Sequence, residues 1–233
     1  MPISIIIPVY NEVKNIAKLV SYLQQHASQG VLEIIVADAA STDDTAARAL
    51  EAGAIVCKSP EKGRAAQMNH AAAIAKGDVL YFVHADTLPP VSYAADVYKA
   101  VEGGFHLGRY VTKFNSPKWY LKINNWFTTL DWFICMGGDN TLFVAKEVFE
   151  ASGGFRNDMI IMEEYEFCAR LRKQGCRYKI MKGSSLVSAR KYDACSWWQV
   201  LMANRTVVGM YKKGASQQAL VDRYKQLLAP KSS

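Results

Sequence analysis

The sequence predicts an α/β fold in which helices flank a mainly parallel central sheet, with a helical segment at the C-terminus. Through the first half of the chain, apolar runs of strand type alternate with segments of helical type. Regular alternation of this kind implies right-handed crossovers and parallel strands. The strand-like runs are apolar without interruption, as expected of strands buried on both faces of a sheet.

The elements of the first half can be placed one after another. Four strands are predicted, at 4–9, 32–37, 54–57 and 79–83. Three helices are predicted between them: one after Asn11 as its N-cap, one at 45–52 behind a capping box at 41–44, and one at about 64–75. Gly53 and Gly77 mark the ends of the second and third helix.

The second half is less regular. The predicted helices are 89–101, 162–173, 196–213 and 216–228, and the predicted strands are 105–113, 177–181 and 186–189. Residues 117–136 are dense in aromatic side chains. Two interpretations of this stretch stay open: packing against the sheet, or an apolar acceptor cleft or membrane-facing patch.

Length and composition predict one domain over residues 1–233. We expect a nucleotide-binding half at about 1–110, an acceptor and catalytic half at about 111–195, and C-terminal helices at 196–233. The sequence has no apolar run of transmembrane length and no signal-peptide pattern at its start. The five cysteines include no C-x-x-C pair, which favours reduced thiols. These features predict a cytoplasmic protein, with peripheral contact at the inner face of a membrane left open.

The formal net charge of +7 is compatible with nucleic acid, an anionic membrane or a phosphorylated ligand as the partner. The basic residues are scattered, and no lysine or arginine block is interleaved with aromatics in the manner of an RNA-binding sheet. We therefore expect no nucleic-acid partner. The sequence gives no indication of oligomeric state.

Polar side chains follow three of the predicted strands. Glu12 follows the first strand, Asp38 the second, and His84 and Asp86 the fourth. Ligands bind parallel sheets beyond the carboxyl ends of the strands. Because alternate side chains of an extended segment point the same way, His84 and Asp86 can converge on one divalent cation. The turn after the first strand has no G-x-G-x-x-G, which argues against a dinucleotide-dependent oxidoreductase.

Three further groups of charged residues have both a functional and an ordinary interpretation. Asp38 can accept hydrogen bonds from a base or ribose, or can simply close a turn. Glu163 and Glu164 begin a helix, where acidic residues complement the helix dipole, but one of them can serve as a general base. Arg190 and Lys191 can hold phosphate oxygens, or can be a solvated basic pair.

Taken together, these segments resemble the family 2 glycosyltransferases, which have a GT-A (nucleotide-diphospho-sugar transferase) fold. The resembling segments are 4–12 (the first-strand signature), 35–43 (V-D-D-G-S-T-D), 62–69 (G-x-x-x-A-x-N), 82–86 (D-x-D), 153–155 (G-G-F) and 163–167 (E-D-x-D-L). Their order and spacing match across about residues 3–190. The likeness is strongest to a small single-domain bacterial subgroup that carries H-A-D and a late S-A-R.

The resemblance implies a role for each matching residue. The residues expected at the nucleotide sugar are Pro8, Tyr10, Glu12, Asp38, Lys62, Arg64, Asp139, Arg190 and Lys191. Asp86, with His84, would bind Mg²⁺ or Mn²⁺. Glu164 would be the catalytic base, with Glu163 as the alternative, and family members that use one such base invert the anomeric carbon.

Three positions depart from the family pattern. His84 replaces the first Asp of D-x-D, which weakens a preference for Mg²⁺ and keeps Mn²⁺ plausible. Ala39 and Ala40 replace the second Asp and the Gly of V-D-D-G-S, so a contact to base or ribose is lost. Glu164 replaces the Asp of E-D and places the carboxylate about an ångström farther out.

The leading interpretation is an enzyme that transfers a sugar from a nucleotide-diphosphate sugar to an acceptor hydroxyl, with metal assistance and inversion. The acceptor class, whether glycan, lipid-linked or small molecule, stays open. Two alternatives remain: a module that binds a nucleotide sugar without turnover, and a sugar-phosphate nucleotidyltransferase. The second would normally carry a glycine-rich basic loop after its first strand, which this sequence lacks.

Overall fold

A computed structural model describes residues 1–27, 30–133 and 140–229. Its strands are β1 (Ile3–Val9), β2 (Val31–Asp38), β3 (Ile55–Lys58), β4 (Val79–Phe82), β5 (Thr87–Leu88), β6 (Leu107–Asn115), β7 (Leu142–Ala145) and β8 (Tyr178–Ser188). Its helices are α1 (Ile16–Gln25), α2 (Thr45–Glu51), α3 (Arg64–Ile74), α4 (Tyr93–Glu102), α5 (Leu121–Phe127), α6 (Lys146–Ala151), α7 (Glu163–Lys173), α8 (Lys191–Ala194), α9 (Trp197–Lys212) and α10 (Gln217–Leu228).

The strands form one sheet in the order β3-β2-β1-β4-β7-β6-β8-β5. Strands β3, β2, β1 and β4 are mutually parallel, and β6 runs parallel to β8. The short strand β7 reverses direction between β4 and β6, and β5 pairs antiparallel with β8. The predicted fold, a mainly parallel sheet flanked by helices, is confirmed. The carboxyl ends of β1, β2 and β4 share one edge, as the sequence indicated.

Each face of the sheet is covered by a separate apolar cluster. On one face, Ile5 and Ile7 of β1 pack with α1 and α4; on the other, Ile6 packs with α3, α6 and α7. This alternation within β1 explains why the strand is apolar at every position. The second face contains four phenylalanines whose rings touch one another: Phe82, Phe149, Phe155 and Phe167. Their contacts tie α6 and α7 to the end of β4.

The predicted strands 177–181 and 186–189 are one strand, β8. Its pairing with β6 shifts register between Arg109 and Val111, opposite Gly183, which has φ +103°. A glycine tolerates that backbone conformation, so the strand bulges there and continues. The sequence Lys182 to Ser185 resembles a turn, which is why two strands were predicted.

The predicted N-cap of α1 is also wrong. Asn15 occupies that position, and Asn11 lies in the left-handed region with φ +54°. The Asn11 side chain instead accepts a hydrogen bond from the Thr42 backbone N–H at 2.9 Å. Asn11 therefore joins the loop after β1, which carries Glu12, to the loop after β2, which follows Asp38.

The helical C-terminal segment is confirmed. Ser196 and Ser216 are the N-caps of α9 and α10, and their hydroxyls accept hydrogen bonds from the backbone N–H groups of Gln199 and Ala219. Val207 and Leu220 pack together with Met159 and Met162 beside α7. Across the described residues, no helix combines the length and the apolar character needed to span a bilayer.

Candidate active site

Asp38 ends β2 and lies beside Val9 in the register of the sheet. The side chain is buried, and it accepts hydrogen bonds from the Ser41 backbone N–H at 3.0 Å and from the Ser41 hydroxyl. The Ser41 oxygen also accepts the Asn11 backbone N–H at 3.0 Å. The carboxylate is thus held in a fixed turn at the edge of the sheet. These contacts support the prediction that Asp38 closes a turn. A carboxylate held in this way can still accept a hydrogen bond from a base or ribose.

Glu12, Asp86 and Arg190 meet beyond the carboxyl ends of β1, β4 and β8. The Arg190 guanidinium lies 2.7 Å from Glu12 Oε1 and 3.2 Å from Asp86 Oδ2. Glu12 is also held through its backbone N–H, which donates to Thr45 Oγ1 at 2.8 Å. One cation therefore bridges two carboxylates that come from different loops. Because the Arg190 side chain is more than half exposed, we expect this pairing to exchange readily with a charged ligand.

His84 and Glu164 form the buried centre of the site. His84 Nε2 lies 3.0 Å from Glu164 Oε1, and both side chains are about nine-tenths or more buried. Burial alone would lower the pKa of His84, but the Glu164 carboxylate and, less strongly, Asp86 outweigh it and raise that pKa. The contact joins the end of β4 to the start of α7, 80 residues apart.

The start of α7 is held in an unusual backbone conformation. Met162, which precedes the helix, has φ +64°. For a side chain of this kind the left-handed region costs about 1–2 kcal/mol. It turns the chain so that the next two residues, Glu163 and Glu164, both point inward and are buried. Such strain is typical of functional sites, where the surrounding structure holds it in place.

Glu163 is paired with Arg64 at the N-terminus of α3. Arg64 Nε lies 2.8 Å from Glu163 Oε1, but within the described residues neither carboxylate oxygen has a hydrogen bond of good geometry. Burial raises the pKa of Glu163 and the neighbouring Glu164 raises it further, while Arg64 acts in the opposite direction. The net direction is upward, so the ionised form of Glu163 is disfavoured by folding.

We predict that ionisation of Glu163 lowers stability as pH rises. A carboxyl whose folded pKa is raised favours the folded state below its unfolded pKa of 4.5, and this contribution is lost as pH rises through the folded pKa. The free energy of unfolding of the wild type should therefore fall, relative to that of Glu163→Gln, as pH increases above 4.5. Urea unfolding of both proteins over a pH series measures this difference.

The control for that series is Glu147→Gln, which makes the same chemical change at an exposed position of α6. If the difference between wild type and Glu163→Gln is constant with pH, or grows in favour of the wild type, the Arg64 pair outweighs burial and the predicted sign is wrong.

The structure brings seven of the predicted site residues into one connected region, namely Glu12, Arg64, His84, Asp86, Glu163, Glu164 and Arg190. Asp38 joins them through Ser41 and the Asn11 backbone. Pro8 is buried in β1, and Tyr10 is half exposed at the rim. Lys62 is exposed in the loop before α3, and Asp139 lies outside the described residues.

Lys191 lies on a different side of the region. Its ammonium group lies over the rings of Phe114 and Tyr192, at 5.6 and 5.5 Å from their centroids. The adjacent Arg190 points toward Glu12 instead. The two basic residues, which the sequence placed together, therefore face different neighbours.

Two buried polar residues were missed by sequence reasoning. Gln67 of α3 donates to the carbonyls of Val9 and Ala37, at 2.8 and 2.7 Å, and so braces the ends of β1 and β2. Arg109 of β6 is fully buried and donates to the carbonyls of Tyr110 and Leu130. For Arg109 the sequence did contain a signal. Arg109 follows Leu107 by two residues in the predicted strand 105–113, so both side chains lie on the same face of that strand. A cation on a buried face is costly, which marks the position as unusual.

The donor set fits a divalent cation only if a substrate completes it. Within the described ranges, no three His, Cys, Asp or Glu side chains are grouped to enclose a metal ion. Asp86 keeps part of its carboxylate accessible, and His84 lies close by with Nε2 turned to Glu164. Mg²⁺ and Mn²⁺ at phosphate sites are often held by one or two protein side chains plus phosphate oxygens and water. The residues present fit that arrangement.

The comparison with protein families decides the classification. The model described as glycosyl transferase family 2 matches residues 4–157, about two thirds of the chain. The chain belongs to glycosyl transferase family 2. The matched region contains the site segments after β1, β2 and β4. It ends before Glu163, Glu164 and Arg190, so the link of these three residues to the family site is made by the contacts described above.

A known protein is similar in sequence over part of the chain. A glucosyl-3-phosphoglycerate synthase of Mycolicibacterium smegmatis is 30% identical over 96 residues, which cover 38% of this chain and 32% of that protein. The match thus spans about a third of the relative's length.

Solved structures of two other glycosyltransferases share the fold. A mannosyltransferase of Pyrobaculum calidifontis, in complex with GDP-Man and Mn²⁺, superposes with a TM-score of 0.69 at 18% identity, over 97% of this chain and 67% of that one. The Mycobacterium tuberculosis glucosyl-3-phosphoglycerate synthase, bound to Mn²⁺, UDP-Glc and phosphoglyceric acid, superposes with a TM-score of 0.64 at 16% identity. The superposition covers 99% of this chain and 81% of that one. The predicted family and GT-A fold are confirmed.

Proposed function

We propose that this protein transfers a sugar from a nucleoside-diphosphate sugar to an acceptor hydroxyl, with inversion at the anomeric carbon. The observation that carries the proposal is the 3.0 Å contact between His84 and Glu164. A buried carboxylate from α7 lies beside the segment that carries Asp86, which supports one cleft for the proposed base and the proposed diphosphate-binding group. The activity, donor and acceptor of the whole protein are parts of this proposal.

The donor would lie along the shared edge of the sheet. Asp38 and Glu12 would accept hydrogen bonds from the base and ribose, next to Pro8 and Tyr10. Arg64 and Arg190 would hold the diphosphate, where a guanidinium can offer two parallel donors to phosphate oxygens. Arg190 now satisfies Glu12 and Asp86, and the arriving diphosphate would compete for the same donors. Lys62, Lys191 and Asp139 are assigned to the donor by the resemblance alone.

Glu164 would act as the general base. Its carboxylate would take the proton of the acceptor hydroxyl as that oxygen bonds to the anomeric carbon. The bond from this carbon to the diphosphate oxygen breaks, and the electron pair leaves with the nucleoside diphosphate. One base and one displacement give inversion. The hydrogen bond to His84 would hold the carboxylate in position, and its burial excludes water that would compete with the acceptor.

Asp86, with His84 nearby, would hold a Mg²⁺ or Mn²⁺ ion together with diphosphate oxygens. When bound, such an ion neutralises part of the charge that collects on the leaving diphosphate. Arg64 and Arg190 would supply the remaining positive charge; Arg64 is paired with Glu163, and Arg190 with Glu12 and Asp86.

The test is release of nucleoside diphosphate from a panel of UDP-sugars and GDP-sugars, with and without Mn²⁺ and candidate acceptors. We expect release from one donor, and its loss in Glu164→Gln and in Asp86→Ala. Glu147→Gln, on the exposed face of α6, is the matched control. Tight binding without release would identify a binding module. Pyrophosphate release from a nucleoside triphosphate and a sugar phosphate would identify a nucleotidyltransferase.

A further inference from the structure

The tryptophans of this protein are concentrated and exposed. All five lie within 119–132 and 197–198. Four of them keep more than half of their surface accessible: Trp119 (71%), Trp126 (58%), Trp132 (54%) and Trp198 (66%). Tryptophan normally buries most of its surface in a folded domain. So many exposed indoles in two short segments indicate a surface that something else covers.

Contacts within and between α5 and α9 link these tryptophans, and Phe127 of α5 contacts the rings of both Trp126 and Trp132. Trp197 Nε1 donates to Asn124 Oδ1 at 2.9 Å, and the Tyr120 and Trp197 rings lie 6.4 Å apart. Trp119 contacts Tyr120, and Trp198 contacts Trp197. We call the exposed apolar side chains of this region the tryptophan face, which consists of Trp119, Ile123, Trp126, Trp132, Trp198 and Met202.

Helical spacing places its members side by side. Residues 119, 123 and 126 recur at i, i+4 and i+7 along α5 and the turn before it. Trp198 and Met202 lie at i and i+4 on the exposed side of α9 and are followed on that side by Arg205, whereas Val200, Ala203 and Val207 are buried on the other side. Both helices therefore expose apolar side chains in addition to those that they bury.

The two segments that carry the face are basic. No Asp or Glu occurs between Glu102 and Asp131, or between Asp193 and Asp222. The two acids that bound these segments on the side of the tryptophans are each paired with a basic residue, Asp131 with Arg172 and Asp193 with Lys118. The exposed basic residues along the two segments are Lys113, Lys122, Arg205, Lys212 and Lys213.

We propose that the tryptophan face docks on an anionic membrane surface. Indole rings are favoured at the level of lipid headgroups, and lysine and arginine beside them are attracted to anionic lipids. Exposed indoles, cations and an absence of acidic residues over two long segments match those two requirements together. Since no described helix could span a bilayer, the contact would be peripheral.

Docking would bring the cleft close to the lipid. Asn124 of α5 donates to the Tyr192 hydroxyl of α8, and Arg190 immediately precedes α8. The four-residue helix α8 thus separates the tryptophan face from the Arg190 guanidinium, which contacts Glu12 and Asp86. If the proposed function holds, this geometry favours a lipid-linked acceptor among the three classes left open. That step rests on the proposed function, whereas docking itself does not.

The experiment is co-sedimentation with vesicles of phosphatidylcholine, alone or mixed with phosphatidylglycerol. We expect binding to the mixed vesicles, weaker binding to the neutral ones, and a blue shift of tryptophan fluorescence on binding. Trp198→Ala should weaken binding about tenfold. The pair Lys122→Ala and Arg205→Ala should weaken it about 25-fold, at about fivefold for each charge.

Matched controls separate docking from general charge and hydrophobicity. Val91→Ala removes an exposed apolar side chain elsewhere, and the pair Lys18→Ala and Lys99→Ala removes two exposed cations from α1 and α4. Both should bind vesicles like the wild type. The proposal is overturned if the wild type binds neither kind of vesicle, or if the controls lose as much affinity as the face variants. It is also overturned if light scattering shows a dimeric wild type and a monomeric Trp198→Ala, and both proteins bind vesicles equally. The face would then be a dimer interface. If the wild type binds vesicles as expected but transfers sugar from no donor, the proposed function is wrong and the docking proposal stands.

Discussion

Glu164→Gln is expected to lower kcat for sugar transfer by about 10²–10⁴-fold, the usual contribution of a general base. The amide keeps the size of the side chain and can still pair with His84, so the fold and the donor site should be preserved. What is lost is the ability to take the acceptor proton as the new bond forms. Donor affinity, measured by titration calorimetry with the nucleoside diphosphate, should change little.

Two further variants make this result specific to Glu164. Glu163→Gln changes the adjacent buried carboxyl, which is paired with Arg64 rather than with His84, and should retain most of the wild-type kcat. Glu164→Asp keeps the charge but withdraws it by about an ångström, so partial activity is expected. If Glu163→Gln is the inactive variant instead, the base is Glu163. If both glutamine variants retain kcat, neither Glu163 nor Glu164 accepts the proton.

Local patterns were sufficient to predict most of the first half of the fold. Strand β1 is apolar at each position because helices cover both faces of the sheet, and this pattern could be recognised without any knowledge of its partners. The polar residues after β1, β2 and β4 could be assigned to one edge because parallel strands place their carboxyl ends together. Both predictions needed only neighbours in sequence and the geometry of crossovers.

Long-range contacts could not be predicted in this way. The prediction that His84 and Asp86 converge assumed an extended segment, but the strand ends at Phe82, and residues 85 and 86 form a turn closed by the Thr87 N–H to His84 carbonyl hydrogen bond. Nor did the pattern indicate that His84 would face Glu164, 80 residues away. Arg190 and Lys191 are adjacent in sequence, yet one binds Glu12 and the other lies over aromatic rings. Which of two neighbouring cations faces the cleft depends on the turn before α8, and that turn is set by tertiary packing.

The short elements α5, α6, α8, β5 and β7 were missed for a related reason. Each is between two and seven residues long, too short for a periodic pattern to emerge. In α5, apolar residues also occur on both sides, Leu121 buried and Ile123 and Trp126 exposed, so no single apolar stripe distinguishes it. The exposed tryptophans that obscured the helix in the sequence are those that form the tryptophan face.

Arg190→Ala is expected to lower kcat/KM by about 10²–10³-fold, which is typical when a positioned donor to developing negative charge is removed. The reason is that Arg190 lies where charge would collect on the leaving diphosphate, next to Asp86. Arg190→Lys keeps one positive charge but loses the two parallel donors, so it should fall between the wild type and the alanine variant. Steady-state kinetics at a fixed Mn²⁺ concentration measures all three.

Arg190→Ala should also strengthen the binding of Mn²⁺, although it weakens catalysis. In the present arrangement the Arg190 guanidinium lies 3.2 Å from Asp86 Oδ2 and repels a cation at that carboxylate. Its removal should therefore tighten Mn²⁺ binding, measured by titration in the absence of donor, even as catalysis weakens. If Arg190 and the cation neutralise the same diphosphate, the loss caused by Arg190→Ala should also be smaller at saturating Mn²⁺ than at low Mn²⁺. An equal loss at both concentrations, with unchanged Mn²⁺ affinity, would mean that Arg190 serves only to fix Glu12 and that the diphosphate lies elsewhere.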